Sequence, residues 1–241
     1  MKLTVINSGS NGNCYLLKSS SGETLILECG IKFSKVKEAL DFDLSGVIGA
    51  LCSHQHFDHS LEIQTFTKSG IKVYSNKSTV NKFGGETSNL KIVEPKKQFN
   101  LGSFSVIPFL VRHDPTIETY GFLINHVEMG KTVFLTDLVY SKFTFKGISN
   151  WIIESNYCEG LVNGNHSFLN SRIKNSHMSV QNCIKLLEAN DLSQTNNVLL
   201  IHLSDSNSNA KEFKQKVTDA TGKLVTIAEP NLTLDLNKNP F

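Results

Sequence analysis

The sequence contains no C-x-x-C pair. Its five cysteines stand apart at positions 14, 29, 52, 158 and 183. Neither a disulfide framework nor a thiolate zinc finger is indicated, and most of them are expected as small buried hydrophobes. Long apolar runs are missing too, since none approaches the roughly 20 residues that a membrane-spanning helix needs. The opening Met1-Lys2-Leu3-Thr4 has a lone lysine and a polar residue by position four. It reads as a strand rather than a secretory leader, and a cytoplasmic location is expected. Basic blocks are scarce: formal net charge is +2, and only Lys96-Lys97 and the Arg172/Lys174 pair form short clusters. A protein that holds a long nucleic acid needs a Lys or Arg for each neutralised phosphate, so an extended nucleic-acid partner is disfavoured unless the charge is segregated on one face. No internal repeat is evident and no linker separates two cores, so residues 1–241 are expected as one domain able to bury a substantial core.

What is present is one dense stretch, Ser53-His54-Gln55-His56-Phe57-Asp58-His59, directly after the apolar run Val47-Ile48-Gly49-Ala50-Leu51-Cys52. The run reads as a buried strand, and a strand followed at once by His-x-His-x-Asp-His places four ligand-type side chains on a tight turn at a sheet edge. His54 and His56, two apart, can share one ion, while Asp58 and His59 can turn to a second.

The rest of the chain alternates short strands with a few helices. Lys2–Ile6, Cys14–Leu17 and Thr24–Glu28 open it as a β-meander. The Gly/Ser/Asn loop from Asn7 to Asn13 between the first two strands is either a small anion nest or a flexible hairpin loop. Ser34 is expected to cap a helix through about Leu40, with Val36, Ala39 and Leu40 facing inward. A short helix carrying Leu61, Ile63 and Phe66 and a strand at Ile71–Tyr74 follow the histidine turn. The stretch from Ser75 to Gln98 is polar and gives no pattern. Further strands are expected at Ser103–Val111, Thr119–Asn125, Lys131–Thr136, Trp151–Glu154, Val198–Leu203 and Leu224–Ala228. Helices are expected at Val180–Ala189, capped by Ser179, and near Ala210–Ala220, ending at Gly222. His126 and His166 read as surface residues.

His113, Asp137 and His202 each follow an apolar strand, where side chains of parallel or mixed sheets converge on a shared edge. Taken with the histidine turn, His54-Gln55-His56-Phe57-Asp58-His59 followed by His113, Asp137 and His202 resembles the metallo-β-lactamase fold superfamily across nearly the whole chain. The resemblance implies an α+β, αββα sandwich of two mixed sheets flanked by helices, with two Zn2+ ions, or Mn2+, at one edge. It also implies that His54, His56 and His113 hold one ion, that Asp58, His59 and His202 hold the other, and that Asp137 bridges them. Imidazole and carboxylate without thiolate agree with a catalytic pair. The superfamily usually has Asp where this chain has Glu28, whose carboxylate can still orient the turn.

Ser8-Gly9-Ser10-Asn11-Gly12-Asn13, His113-Asp114-Pro115, Tyr120-Gly121, Glu154-Ser155-Asn156, His177-Met178-Ser179 and His202-Leu203-Ser204 together resemble the phosphodiesterase branch. That branch includes tRNase Z, bacterial 5′ exonuclease-like proteins and phage cyclic nucleotide phosphodiesterases that counter a defence signal. The implied catalytic residues are Asp58 and His177. His177 would supply the proton for the leaving oxygen with Asp58 as its partner, against the alternative of a surface residue at a helix start. Arg172 and Lys174 could meet a phosphate or form a solvated strip. Low charge and the absence of a basic insertion favour a small nucleotide diester, and the expected reaction is hydrolysis of 3′,5′-cyclic mononucleotides, in a host cytoplasm if the chain is phage-encoded. The alternative is a 5′ exonuclease or tRNA-processing nuclease. The segment from Tyr157 to His177 reads as a long polar loop that could cover a second subunit's site, so a homodimer is expected.

Overall fold

The computed structural model describes residues 1–160 and 167–239, except the side chains of 167–170 and 172. The first part of the chain lays down strands β1 (Lys2–Asn7), β2 (Cys14–Lys18), β3 (Thr24–Leu27), β4 (Val47–Leu51), β5 (Val73–Ser75) and β6 (Leu90–Ile92). Helices α1 (Phe33–Ala39), α2 (Phe57–Ser60), α3 (Ile63–Lys68) and α4 (Lys77–Lys82) lie between them. The second part lays down β7 (Phe99–Leu101), β8 (Phe104–Val111), β9 (Thr119–His126), β10 (Gly130–Leu135), β11 (Ile148–Glu154), β12 (Asn197–Ile201) and β13 (Leu224–Ile227). Its helices are α5 (Ser167–Ser176), α6 (Val180–Glu188) and α7 (Ala210–Thr221), and β14 (Thr233–Asp235) returns to the first sheet. The two seven-stranded sheets run β14-β1-β2-β3-β4-β5-β6 and β13-β12-β11-β10-β9-β8-β7.

Each sheet changes character partway across. In the first, β1, β2 and β3 pair antiparallel and β3 to β6 pair parallel. In the second, β7 to β10 pair antiparallel and β10 to β13 parallel. The carboxyl ends of β3, β4 and β5, and of β10, β11 and β12, therefore point the same way within their sheets. In open α/β sheets that edge is where ligands bind.

Three apolar cores separate four layers. Leu3, Tyr15, Leu17, Leu25, Leu27 and Leu51 of the first sheet meet Phe104, Phe122, Phe134, Ile152, Leu199 and Ile201 of the second. Alternate residues of the same strands face outward: Leu16 and Ile26 pack with Phe33 and Val36 of α1 and Phe66 of α3, and Val198 and Leu200 pack with Val180 and Leu187 of α6 and Phe213 of α7. Strands covered on both faces need apolar residues at every position, which is why Cys-Tyr-Leu-Leu and Val-Leu-Leu-Ile show no alternation in sequence. The αββα sandwich expected above is thus the observed fold. All five cysteines are free and buried, and among the described residues no helix is long and apolar enough to cross a membrane.

Several local expectations are corrected. Helix α1 has Lys32 at its N-cap with no side-chain bond, so Ser34 does not cap it, and Phe33 rather than Ala39 joins its buried face. The patternless stretch holds α4, whose N-cap Asn76 accepts from Thr79 N at 2.8 Å, and β6. His126 is buried, with Nε2 2.8 Å from Ser103 Oγ; His166 lies outside the described residues. The expected loop from Tyr157 to His177 contains α5, and positions 161–166 within it lie outside the described residues. Ser179 caps α6 by accepting from Asn182 N, and Gly222 ends α7 at φ 65°.

Candidate metal centre

The residues of the site come from the ends of the inner strands. Glu28 follows β3, the histidine turn follows β4, Asp137 lies just past β10, Glu154 ends β11 and His202 follows β12. Glu28, Asp137 and His202 have φ of 67°, 45° and 54°. These left-handed conformations cost on the order of 1–3 kcal/mol each for a side chain with Cβ and persist where surrounding structure enforces them. Here the chain breaks sharply out of the sheet, turning each side chain across the edge instead of along the strand.

The expected ligands form two donor sets, and a third group of Asp137, Glu154, His177 and His202 overlaps the second. In the first, His54 Nε2 lies 2.9 Å from His56 Nδ1, and His113 Nε2 lies 3.1 Å from the same atom. Asp137 Oδ2 stands 3.7 Å from both His54 Nε2 and His113 Nε2. In the second, His59 Nε2 is 3.2 Å from Asp58 Oδ2 and from Asp137 Oδ1, and His202 Nε2 is 3.2 Å from Asp58 Oδ2. Asp137 thus offers one oxygen to each set. A tetrahedral ion with bonds of about 2.0–2.1 Å has ligand-to-ligand edges of about 3.3–3.4 Å, so the spacings match the size of such an ion.

Proton placement is a second test of the fit. His113 Nδ1 lies 2.5 Å from the Ser176 carbonyl oxygen, which can only accept, so Nδ1 carries the proton and Nε2 presents a lone pair. Burial holds the pKa values of His54, His56 and His113 below the ordinary histidine value, so all three rings are neutral at pH 7. Neutral imidazole nitrogens crowded with a carboxylate oxygen around one point form a cation-binding donor set. In the second set burial would lower the His59 and His202 pKa values, but Asp137 and neighbouring carboxylates raise both, His202 to about 10. Asp137 would be raised by burial, yet His202 and His59 hold it well below the usual carboxylate range.

The shell around the donors is extensive. Glu28 accepts from Ser53 N at 3.3 Å and sits 3.5 Å from His59 Nδ1, a buried nitrogen without a hydrogen bond. Ser53 Oγ is 2.9 Å from His54 Nδ1, and Asn76 Nδ2 donates to Ser53 O at 2.9 Å and Glu118 O at 2.8 Å. Asn13, fully buried, joins the Gly9 backbone to Asp58 O. The first loop is therefore anchored through Asn13 to the histidine turn. Gly30 lets the turn approach, because a Cβ there would stand 1.7 Å from Asp58 O.

Glu154 is the residue whose role the sequence reading missed. Its Oε2 accepts from Leu138 N at 2.9 Å and Met178 N at 3.1 Å, and its Oε1 lies 2.7 Å from His177 Nδ1 and 3.2 Å from His202 Nδ1. The signal was the one that exposed Asp137 and His202, a polar group directly after an apolar strand. His177 is thereby paired with Glu154 and not with Asp58. Burial would lower the His177 pKa, but the Glu154 and Asp137 carboxylates hold it above the ordinary value. All seven expected ligands and His177 meet at this edge. Lys174 is exposed, and the Arg172 side chain lies outside the described residues. A pocket of about 360 Å³ opens here, lined by His56, Phe57, Asp58, Asp114, His177 and Ser10 among others.

Comparison with known proteins agrees with this geometry. The metallo-beta-lactamase superfamily profile matches residues 8–226. Exodeoxyribonuclease WalJ of Streptococcus pneumoniae serotype 2, strain D39, is 27% identical over 235 residues, covering 88% of this chain and 84% of that protein. The metallo-beta-lactamase fold protein YhfI from Bacillus subtilis superposes with a TM-score of 0.75 at 17% identity, covering 97% of this chain and 98% of that one. Zn2+-bound PqqB from Methylobacterium extorquens does so with a TM-score of 0.70 at 12% identity, covering 98% and 100%. A chain with this profile match, these paired sheets and this histidine and carboxylate cluster belongs to the metallo-beta-lactamase superfamily and is a metal-dependent hydrolase.

Proposed function

We propose that the protein is a two-metal phosphodiesterase, with Zn2+ or Mn2+ as the ions, that cleaves nucleotides from DNA ends. The observation that carries this reading is the pair of donor sets sharing Asp137 beside the His177–Glu154 pair, in a chain similar over most of its length to an exodeoxyribonuclease. His54, His56, His113 and Asp137 would hold one ion, and Asp58, His59, His202 and Asp137 the other. Ions held there supply Lewis-acid polarisation of the phosphate and acidify water toward neutral pH. The protein's own part is orientation and proton handling. His177, its pKa held above the ordinary value by the Glu154 and Asp137 carboxylates and its ring lining the pocket, is placed to give a proton to the leaving oxygen. Glu154 holds the ring through Nδ1, so Nε2 is the nitrogen left for transfer.

A second reading is hydrolysis of 3′,5′-cyclic mononucleotides as a counter to defence signalling. The pocket volume favours it, since about 360 Å³ lies within the range that encloses a small ligand, as does the net charge of only +2. A homodimer goes with this reading, a second subunit supplying further walls. The deciding experiment incubates the zinc- or manganese-loaded protein with end-labelled single- and double-stranded DNA and with cyclic mononucleotides, between about 50 and 200 mM salt. Mononucleotide release from DNA with affinity that falls steeply with salt supports the exonuclease. Turnover of cyclic nucleotides with little salt dependence, in a dimer by light scattering, replaces it with the second reading. No phosphodiester turnover in either metal sinks both.

A further inference from the structure

Position 57 of the histidine turn is not a ligand, yet it carries a phenylalanine that is 65% exposed. The ring lies on the wall of the pocket beside His56 and Asp58. A solvated phenylalanine leaves apolar area uncovered, and the turn itself does not need one, since its bonds to Ser60 N, Leu61 N and His59 N are made by backbone carbonyls. The ring is nonetheless held. Lys82, the last residue of α4, places Nζ 4.8 Å from the ring centroid and donates from Nζ to Gln55 O at 2.9 Å. The ammonium is thus fixed against the turn on one side of the ring, leaving the remainder of the ring open.

We propose that Phe57, steadied by Lys82, is a stacking platform for the base of the nucleotide whose phosphate lies at the donor groups, and that Lys82 also faces that nucleotide's negative charge. The inference rests on the nucleotide phosphodiester reading above. A flat apolar ring with a cation against it, at the mouth of a site for phosphate chemistry, complements the two parts of a nucleotide that do not react. Every base has a π-face, so such a platform tolerates any sequence, as an enzyme trimming DNA ends requires.

The test is equilibrium binding of dAMP and of 2-deoxyribose 5-phosphate to the zinc-loaded protein, by calorimetry, for the wild type, Phe57→Ala and Phe57→Trp. The wild type should bind dAMP tighter than the base-free sugar phosphate by roughly tenfold, the scale of one stacked base. Phe57→Ala should lose that margin while binding the sugar phosphate and zinc as before, and Phe57→Trp should keep it. Equal binding of the two ligands by the wild type overturns the platform. So does a Phe57→Ala variant that weakens both ligands alike, or one that changes only the oligomeric state, which would make the exposed ring a subunit contact. A wild type that prefers dAMP but cleaves no diester would refute the proposed function and leave the platform standing.

Discussion

Single side chains in this site are specified by what surrounds them more than by their own chemistry. His177 is an ordinary imidazole until the buried Glu154 carboxylate accepts a hydrogen bond from its Nδ1 at 2.7 Å. Because His177 lies outside the two sets that the seven expected ligands complete, and meets Asp137 only in the group with Glu154 and His202, His177→Ala should keep both metal ions by elemental analysis. It should lose turnover by about a hundredfold or more, the usual scale for removing a general acid. Wild-type turnover would make His177 a bystander, and metal loss would make it a fold element. Gly30 gives the opposite lesson, a residue with no chemistry on which the ligands depend. A methyl group there would stand 1.7 Å from Asp58 O and 2.8 Å from His59 N. Gly30→Ala must displace the turn that carries both side chains, so it should lower bound metal to below one ion per chain and reduce the melting temperature. Full metal content in that variant would show that the turn can move without cost to the site.

Among the elements, the helices and loops on the outer layers differ most in how readable they are. Strands with both faces buried announce themselves as apolar runs, and α6 and α7 do so through capping residues and a regular stripe. Helix α4 is hidden because only Thr79 and Val80 are buried in six residues, too few for a periodic pattern. Its significance lies in Asn76, which caps the helix and at the same time ties Ser53 and Glu118 to it. Losing the cap alone costs about 1 kcal/mol; the Ser53 carbonyl keeps its bond from Tyr120 N, so losing the two Nδ2 bonds to Ser53 O and Glu118 O adds about 0.5–1.5 kcal/mol each. Asn76→Ala should therefore fall in stability by more than a surface cap would, and metal affinity should fall with it. A loss confined to helix stability, with unchanged metal titration, would separate α4 from the site.

The two sheets are joined at the end away from the metal centre as well as through the central core. Glu23, from the turn before β3, accepts from Ser103 N at 3.0 Å and from Ser103 Oγ, at the turn before β8. Those hydrogen bonds from Ser103 hold the Glu23 pKa below its ordinary 4.5. A carboxylate depressed on folding adds stability that is fully present above its unfolded pKa and is lost as pH falls through the lower folded value. Glu23→Gln should therefore melt below the wild type at pH 7, and the gap should close as pH drops below about 4. A gap independent of pH would mean that packing of the side chain, not its charge, links the sheets.

The ligand set is legible in the sequence because its signal is local. His-x-His-x-Asp-His needs only a strand before it, and His113, Asp137 and His202 each stand where an apolar run stops. Residue type and position along the chain suffice to nominate all seven, along with His177 from its resemblance. The strand and helix order follows from the same local chemistry of burial, turns and caps. What no local pattern supplies is neighbourhood. Glu154 becomes a hub because β11 lies between β10 and β12 in parallel register, which sets its carboxylate among Leu138, His177 and His202. That adjacency joins segments roughly 20 to 50 residues apart in sequence and is decided by how the sheet assembles. The matching antiparallel-then-parallel order of the two sheets is likewise invisible in the sequence, since strand pairing depends on backbone hydrogen bonds that many different side chains permit. The left-handed turns at Glu28, Asp137 and His202 belong to the same category: no propensity asks for them, and only the closing of two sheets on one edge holds them there.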